Sequence, residues 1–473
     1  MSKAKTPVCD VQHNFSRVSL TRCESYDSAA LKAALRRLFY LLGLDEKNPL
    51  GCLIRPGDKV VLKPNWVKEC HEHNANEWQS VITHPSIIDN VLEFVLIALN
   101  GRGNVTIMDG PQTDSSFAKI LSHMQADRWI MKGHLYGVRV DLLDLREDEW
   151  VAKGGIVVKR HKLPGDPKGS IIADLKEESS FSDKPVPSLG YYGADYMCDE
   201  TTWAHSEGRN LYKVSRTAVD GDVFINLPKM KTHGKAGITA CMKNLVGINT
   251  YKNYLPHHAQ GTPAQGGDQY PCDSRAHMLE SSITARLKTM WGKYPSTSKY
   301  FIPVKYLGGK IFGDSSKILR SGAWHGNDTL WRMVIDLNKV LLYANSDNTL
   351  RESNFCSTKR YFALVDAITA GEGLGPMAHD VKNARMLMAG FNPLAVDCVA
   401  AKMMGFDYRK VLYLKNAFDL VHYPIANFTY EDISVHSDHP ALNRCLKSIS
   451  ALDTDKFRPA PGWAGHIEEE YSD

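Results

Sequence analysis

Short apolar runs and longer amphipathic stretches alternate along much of this chain. Residues 60–62 form a continuous apolar run, and residues 223–227 are apolar except for Asn226; both segments predict buried strands. Residues 84–99 instead repeat apolar side chains every three or four positions, which is typical of a helix packed on a core. Thr83 is expected to cap this helix, and Asn100 with the following glycine should end it.

The same order of strand, polar loop and helix recurs several times. Strands are predicted to begin near residues 59, 104, 222, 360 and 386, and a further helix near 330 is expected to start from a capping Asn327 or Asp328. Strands that alternate with helices are typical of an α/β fold with largely parallel sheets flanked by helices. The sequence therefore predicts a two-lobed α/β protein with long loop insertions.

Two irregular stretches set the predicted domain boundaries. Both are rich in Gly and Pro, and long loops of this kind tend to form lids or substrate loops. We expect an N-terminal helical extension at 1–58, a first α/β lobe at 59–255 with an insertion near 153–206, an insertion or lid at 256–325, and a second α/β lobe with a C-terminal tail at 326–473.

Composition and charge narrow the class of partner. The 473 residues are 43% hydrophobic, and the net charge is +4, which favours neither nucleic acid nor an anionic membrane as a partner. No secretory signal and no apolar window of about 18 residues is recognised, so a cytoplasmic location is expected. The ten cysteines contain no C-x-x-C pair, which argues against a zinc ribbon or iron–sulfur cluster. Homo-oligomer formation stays open.

Polar side chains follow the predicted strands, where parallel strands would bring them to one edge of the sheet. Ligands of open α/β sheets bind at this edge. The side chains expected there are Lys63, Asn65, Asp109, Asn226, Lys229, Lys231, His233, Asp366 and Asn392.

The segment after residues 223–227 holds the densest group of cations. Lys229, Lys231, His233 and Lys235 fall within seven positions, with glycines that permit close backbone approach. Exposed, solvated lysines are the ordinary alternative. The stretch from residue 237 onward resembles a helix N-terminus able to hold an anion.

These residues predict an anion site with acid–base chemistry. His233, Lys231 and Asp366 are the expected catalytic residues, with His233 as general base or metal ligand. The expected substrate-binding residues are Lys63, Asn65, Lys229, Asn226 and Lys243. The predicted partner is a small carboxylate- or phosphate-bearing substrate.

Histidines outside this segment suggest a metal ion. Paired histidines at short spacing suit divalent or transition metals, although no set has diagnostic spacing. Loop histidines that stack or form hydrogen bonds are the alternative. The candidate ligands are His71, His73, His84, Asp109, His257 and His258.

The ordered motifs resemble a known family. "KPNWV", "THPSII", "DVFINLPKMKTHGKAGITACMKNLVG", "SGAWHGNDTLWRM", "VDAITAGEGLGP" and "FNPLAVDCVAAKMMG" closely resemble the domain-of-unknown-function family numbered 362, from about residue 59 to 405. That family has no single agreed chemistry, so the resemblance implies no activity.

A looser resemblance covers about thirty residues. The "NLPKMKTH" to "CMKNLVG" segment is similar to lactate racemase-type proteins, which hold a nickel-pincer nucleotide. The resemblance implies Lys229 or Lys231 as the attachment residue and His233 as a ligand or base.

The leading hypothesis is an enzyme that acts on an anionic small molecule with metal assistance, by proton transfer, redox or hydrolytic chemistry. A nickel-pincer-type racemase or epimerase is an alternative. A non-catalytic protein that binds an anion or a metal would use the same cleft, and a scaffold whose basic loop docks an acidic partner is a third possibility.

Overall fold

The computed structural model describes residues 15–153, 156–195, 197–294, 319–355 and 359–470. Its strands are, in chain order, β1 (Arg17–Arg22), β2 (Lys59–Pro64), β3 (Asn104–Asp109), β4 (Arg139–Asp144), β5 (Asp148–Lys153), β6 (Ile156–Lys162), β7 (Ser170–Asp174), β8 (Tyr191–Tyr192), β9 (Leu211–Ser215), β10 (Val223–Leu227), β11 (Lys229–His233), β12 (Gly237–Thr239), β13 (His258–Ala259), β14 (Arg360–Glu372), β15 (Asp380–Lys382), β16 (Met386–Gly390), β17 (Ser434–Ser437) and β18 (Arg444–Cys445).

The α-helices are α1 (Ser28–Leu41), α2 (Pro85–Leu99), α3 (Phe117–Met124), α4 (Asp127–Leu135), α5 (Cys198–Ala204), α6 (Arg216–Asp220), α7 (Cys241–Asn244), α8 (Arg275–Lys293), α9 (Leu330–Tyr343), α10 (Pro393–Met403) and α11 (Leu412–Ala417).

Helix caps agree only in part with expectation. Asn100 ends α2 in the left-handed conformation, as predicted, and the Asn327 side chain accepts hydrogen bonds from Thr329 N and Leu330 N at the start of α9. The cap of α2 is His84 instead of Thr83. The Thr83 hydroxyl instead donates a hydrogen bond to the carbonyl of Leu227, at the end of β10.

A single 12-stranded sheet organises the protein. Its central strands β14, β10, β2, β3 and β4 lie side by side and run parallel. On the other side of β14 follow β16, β1, β17 and β18, where antiparallel and parallel pairs are mixed. The α/β class with mostly parallel strands is therefore confirmed.

Strands from both predicted lobes join in this sheet. β10 from the first predicted lobe pairs directly with β14 from the second, and the predicted helical extension contributes β1 as well as α1. Because side chains alternate along each strand, the sheet carries a hydrophobic core on each of its faces. Val223, Ile225 and Leu227 face one core and Phe224 faces the other, so both faces of β10 are buried.

The predicted rim is correct for the parallel strands but not for residue Asn392. β2, β3 and β10 end at one edge, so Lys63, Asp109 and Leu227 reach the same side. β16 runs antiparallel to β14, so Asn392, which follows β16, lies at the opposite edge and caps α10.

The insertion near 153–206, the segments that flank it and the loop after residue 256 contain short strands. β5 pairs with β6, β7 with β9, and β13 with β8, all antiparallel. The β8–β13 pair brings the two predicted insertions together beside the parallel edge of the sheet. Residues 295–318 of the predicted lid lie outside the described residues.

One helical stretch, Ala75–Leu99, has the length and composition of a membrane span, although no apolar window of this length was expected from the sequence. Of its most apolar window, 67% is buried inside the fold. It packs here as a core helix, with Ile87, Val91 and Leu92 against the sheet.

Candidate functional site

A cavity of about 480 Å³ lies at the carboxyl ends of β2, β3 and β11. The two insertions form its outer wall through Tyr192, Asp195 and His257. Its basic side chains come from three segments of the chain: Lys231, His233, Lys235, Lys243, Lys252 and His257. The acidic side chains of the wall are Asp109, Asp114 and Asp195.

Lys243 is a buried cation of this wall whose charge is not balanced by an acidic side chain that the structure describes. It is 8% exposed, and its ammonium group has no hydrogen bond or ion pair with any residue that the structure describes. Burial lowers the pKa of Lys243 to about 8, and the neighbouring Lys252 lowers it as well. A buried charge without a partner is costly, so an anion in the cavity would relieve it.

Lys231 projects into the cavity from β11. Its ammonium group donates a hydrogen bond to the carbonyl of Val81 at 2.5 Å. Burial lowers the pKa of Lys231 well below its ordinary value, and the positive charges of Lys243 and Lys229 add to this effect. Lys231 is thus held toward its neutral amine form.

His233, at the end of β11, is held in one tautomer by the turn that follows it. The backbone N–H groups of Lys235 and Ala236 both donate to its Nδ1, at 3.1 and 3.2 Å. Nδ1 therefore carries a lone pair, and the neutral ring has its proton on Nε2. Burial lowers the pKa of His233 well below 6.5.

This geometry differs from the predicted role of His233 as general base or metal ligand. Either role needs a ring lone pair directed at the ligand, but Nδ1 is occupied by two backbone N–H groups and Nε2 carries the proton. The turn that imposes this pattern depends on Gly237, whose φ of +79° is strained for any other residue.

His257 shows the opposite pattern. Its Nδ1 lies 2.9 Å from the carbonyl oxygen of Leu255, which can only accept, so Nδ1 carries the proton. The Nε2 lone pair has no partner among the described residues. Burial lowers the pKa of His257 well below 6.5, and the charges of Lys235 and Lys243 lower it further.

Two cavity residues were missed by sequence reasoning. The Lys252 ammonium donates to the carbonyl of Gly110 at 2.7 Å, and burial lowers its pKa to about 8. Asp195 accepts a hydrogen bond from the Thr113 hydroxyl at 2.5 Å, and burial raises its pKa to about 7. The position of Asp195 inside the predicted substrate loop was the one signal that pointed to it.

Lys63 does not face the cavity as predicted. Its ammonium forms a buried ion pair with Asp109 at 2.8 Å and donates to the Asn244 side chain. The second carboxylate oxygen of Asp109 accepts from the backbone of Trp66, so this acid is engaged within the protein. A Cβ on Gly247 would lie 1.9 Å from Asp109, so only glycine fits against this pair.

The two predicted asparagines have different roles. Asn226 is fully buried, donates to the carbonyl of Cys241 and accepts from Asn244, so it supports α7 from beneath instead of binding substrate. Asn65 lines the cavity, as predicted, and its buried Oδ1 has no hydrogen-bond partner in the described structure. The buried hydroxyl of Thr239 is a second such atom in the wall.

The predicted helix N-terminus does not offer its amides to a ligand. The backbone N–H groups of Cys241 and Met242, at the start of α7, both donate to the Asp397 carboxylate. Asp397 is fully buried, and burial raises its pKa to about 7. This carboxyl group therefore positions α7 and, with it, the Lys243 side chain.

Lys229 and Asp366, predicted to bind substrate and to catalyse, form a structural pair outside the cavity. Their charged groups are 2.6 Å apart and both side chains are fully buried. Asp366 also accepts hydrogen bonds from the Tyr26 hydroxyl and from His84 N. All of these contacts join segments far apart in the chain, which gives them a structural role.

The candidate metal ligands do not converge. His84 caps α2 and stacks on Tyr26 at 3.7 Å, while His71 accepts from two backbone amides and lies 2.7 Å from the His379 carbonyl. The His73 ring lies edge-on to His71 with 6.0 Å between the ring centroids, and the His258 ring lies 3.2 Å from the Lys235 ammonium.

Asp109 is paired with Lys63, and the His257 ring is engaged by a described residue only through Nδ1. Across the described parts of the chain, no group of three or more His, Cys, Asp or Glu side chains is arranged to hold a metal ion.

Comparison with known proteins identifies a family segment. Residues 181–402 match the model of the family described as "Domain of unknown function (DUF362)". This range holds β10 to α7, the source of Lys231, His233 and Lys243. The resemblance based on the sequence motifs is confirmed over this range.

Two further proteins are similar to parts of the chain. A thylakoid-associated protein of Synechocystis sp. is 25% identical over 230 residues, which are 49% of this chain and 50% of that protein. The chain thus spans about half the length of that relative. The lactate racemase apoprotein from Thermoanaerobacterium thermosaccharolyticum aligns with a TM-score of 0.32 and 11% identity, over 85% of this chain and 59% of that chain.

Proposed function

We propose that this chain binds a small carboxylate- or phosphate-bearing molecule in the cavity and transfers a proton on it. The carrying observation is the buried ammonium group of Lys243, which faces the cavity without a counter-charge among the described residues. Lys252, on the same wall, adds positive potential nearby. In a site of low dielectric, such charges interact strongly with an anion.

Three side chains of the wall would contact different groups of the bound molecule. Lys243 would pair with the anionic group, and the Nε2–H of His233 would donate to a ligand oxygen. The unpartnered Oδ1 of Asn65 would accept a hydrogen bond from the ligand. A mixture of donors and acceptors around a basic centre fixes the orientation of a small polar molecule.

Isothermal titration calorimetry with sulfate as the probe tests the anion site. Lys243→Met should weaken sulfate binding roughly tenfold to hundredfold, because a hydrogen bond to a charged group is worth about 1.5–3 kcal/mol. Lys359→Met is the matched control, since Lys359 is equally buried at 7% exposure but lies in a different cleft. Equal affinity in both variants, or loss only in Lys359→Met, would refute the proposal.

A protein that binds an anion without catalysis is the competing function. Incubation with a panel of carboxylates and phosphate esters in D2O separates the two, with deuterium incorporation at carbon followed by NMR. Incorporation that depends on the protein supports proton transfer. Binding without incorporation or turnover of any compound favours the binding protein.

A covalently bound nickel-pincer nucleotide would supply hydride transfer. Of the two candidate attachment residues, Lys229 and Lys231, only Lys231 is placed to hold it. Lys231 lies on the cavity wall, whereas the ammonium of Lys229 is committed to Asp366. Intact mass of the purified protein tests this variant of the proposal. An added mass that is lost in Lys231→Met would support it, and an unmodified mass would refute it.

A cytoplasmic location is part of the proposal. The buried packing of Ala75–Leu99 supports it, because that stretch contributes to the protein core. Fractionation of cells that express the full chain tests it. Recovery in the membrane fraction after a salt wash would contradict it.

A further inference from the structure

Two histidines on the cavity wall hold their protons on opposite nitrogens. His233 and His257 come from different segments, β11 and the loop before β13, and both line the cavity. They are close enough for the charge of one to affect the pKa of the other. Their hydrogen bonds to the backbone fix which nitrogen of each ring faces a ligand.

The backbone around His257 is fixed on both sides. Its N–H donates to the carbonyl of Tyr192 at 2.7 Å, and its own carbonyl accepts from the Asn327 side chain. The Leu255 carbonyl then holds the proton on Nδ1. The ring is thereby presented to the cavity with an accepting Nε2.

His233 presents the opposite ring nitrogen form to the cavity, a donor where His257 presents an acceptor. Its Nδ1 is saturated by the N–H groups of Lys235 and Ala236, so its Nε2 presents a proton. A ligand that contacts both rings must carry a donor or an acidic C–H toward His257 and an oxygen acceptor toward His233. This narrows the ligand to a molecule with both groups beside its anionic group.

We propose that Nε2 of His257 is the proton acceptor of the reaction and that Nε2–H of His233 donates a hydrogen bond to the ligand oxygen that gains negative charge. The inference rests on the proposed function, which supplies a bound anion. The bond between the proton and the ligand breaks, and its electron pair stays on the ligand. A new N–H bond forms on His257, which becomes an imidazolium, and return of the proton restores the neutral ring.

The charges around His257 make it a base only when an anion is present. Lys235, Lys243 and Lys252 face it from the β11–β12 turn, from α7 and from the segment after α7, and all three lower its pKa. A bound dianion offsets these positive charges and favours the imidazolium. The pKa of His257 should therefore rise when the cavity is filled.

NMR of the full chain with 15N- and 13C-labelled histidine tests both parts. Spectra of His257→Gln and His233→Gln assign the two rings, and long-range nitrogen–carbon correlations show which nitrogen is protonated. We expect an Nδ1–H ring for His257 and an Nε2–H ring for His233 in the free protein. Sulfate at saturation should raise the pKa of His257 by roughly one unit or more, a tenfold gain in proton affinity.

The possible failures are distinguishable. The same tautomer in both rings, or sulfate binding without a rise in the pKa of His257, would overturn the assignment of the proton acceptor while the anion site stands. Absence of sulfate binding to the wild-type chain would remove the proposed function and this inference with it. If a variant fails to fold, the tautomers are still read from the wild-type spectrum with the other variant as the assignment reference.

Discussion

Lys243 and Lys252 should make anion binding depend on pH, because burial lowers the pKa of each to about 8. Both ammonium groups are charged below that pH and lose their protons above it. An anion binds the charged forms, so proton loss from the free protein competes with binding. The anion site is thereby expected to weaken in alkaline solution.

Sulfate is a suitable probe for this prediction because its charge does not change between pH 6 and 10. We expect its affinity to be nearly constant below pH 8 and to fall above it, by up to tenfold per unit for each coupled proton. Calorimetry across this range measures the effect. In Lys243→Met the fall should become shallower, and an affinity that rises above pH 8 would contradict the account.

The sequence pointed to the segment that lines the cavity but did not distinguish its lysines by their surroundings. Lys231, His233 and Lys243 were predicted and line the cavity. Lys63 and Lys229 looked equivalent to them, yet each is neutralised by a carboxylate distant in sequence, Asp109 and Asp366. Whether a lysine after a strand is paired depends on such distant partners, which spacing along the chain does not show.

At the scale of elements, the Lys229–Asp366 pair joins β11 to β14 and, through Tyr26, to the segment before α1. These groups are buried and fully engaged, so loss of one partner leaves an uncompensated charge. Measurements on other buried pairs put such a loss at about 3–5 kcal/mol.

Asp366→Ala is therefore expected to lower the free energy of unfolding by about 3–5 kcal/mol in urea titrations. Its folded fraction should keep sulfate affinity within roughly threefold of the wild type, an allowance for small shifts in the site. A stable variant that loses sulfate binding would instead return Asp366 to the functional site, where the sequence had placed it.

Helix α7 depends on Asp397 in a similar way. Its carboxylate accepts from the N–H groups of Cys241 and Met242, which are inaccessible to water. Removal of this acceptor leaves two buried donors without partners, each at a cost of about 1–3 kcal/mol.

We expect Asp397→Ala to lower both the stability and the affinity for sulfate, because Lys243 is the third residue of α7. Chemical unfolding and calorimetry measure the two effects. Cys398→Ala, at the neighbouring buried position on α10, is the control that should lower stability without weakening sulfate binding at the cavity. Unchanged sulfate affinity in folded Asp397→Ala would contradict a positioning role.

For the whole molecule, periodicity predicted the α/β class and the parallel strands but not how many sheets they form. The apolar runs at 60–62 and 223–227 identify strands buried on both faces. The sequence "RVSLTR" of β1 is short and four of its six residues are polar, so its composition does not indicate that it enters the same sheet between β16 and β17. Pairing partners of this kind are set by packing of the complete chain.

The site itself depends on this global arrangement. Its inner wall comes from strand ends and α7, and its outer wall from the β8–β13 pair, which joins two insertions distant in sequence. Asp195 and His257 are brought to the lysines only by that pairing. Their places in the cavity wall could not be predicted from local motifs, because neither lies in the segment of dense positive charge.

Anomalous diffraction from crystals of the wild-type chain soaked in selenate, a heavier analogue of sulfate, shows whether an anion binds beside Lys243 in the cavity. We expect a selenium peak in the cavity, with selenate oxygens within hydrogen-bond distance of Lys243 Nζ and His233 Nε2. The peak should be absent in Lys243→Met crystals of the same form. Selenate bound only elsewhere, for example in the cleft beside Lys359, with an empty cavity, would contradict the account.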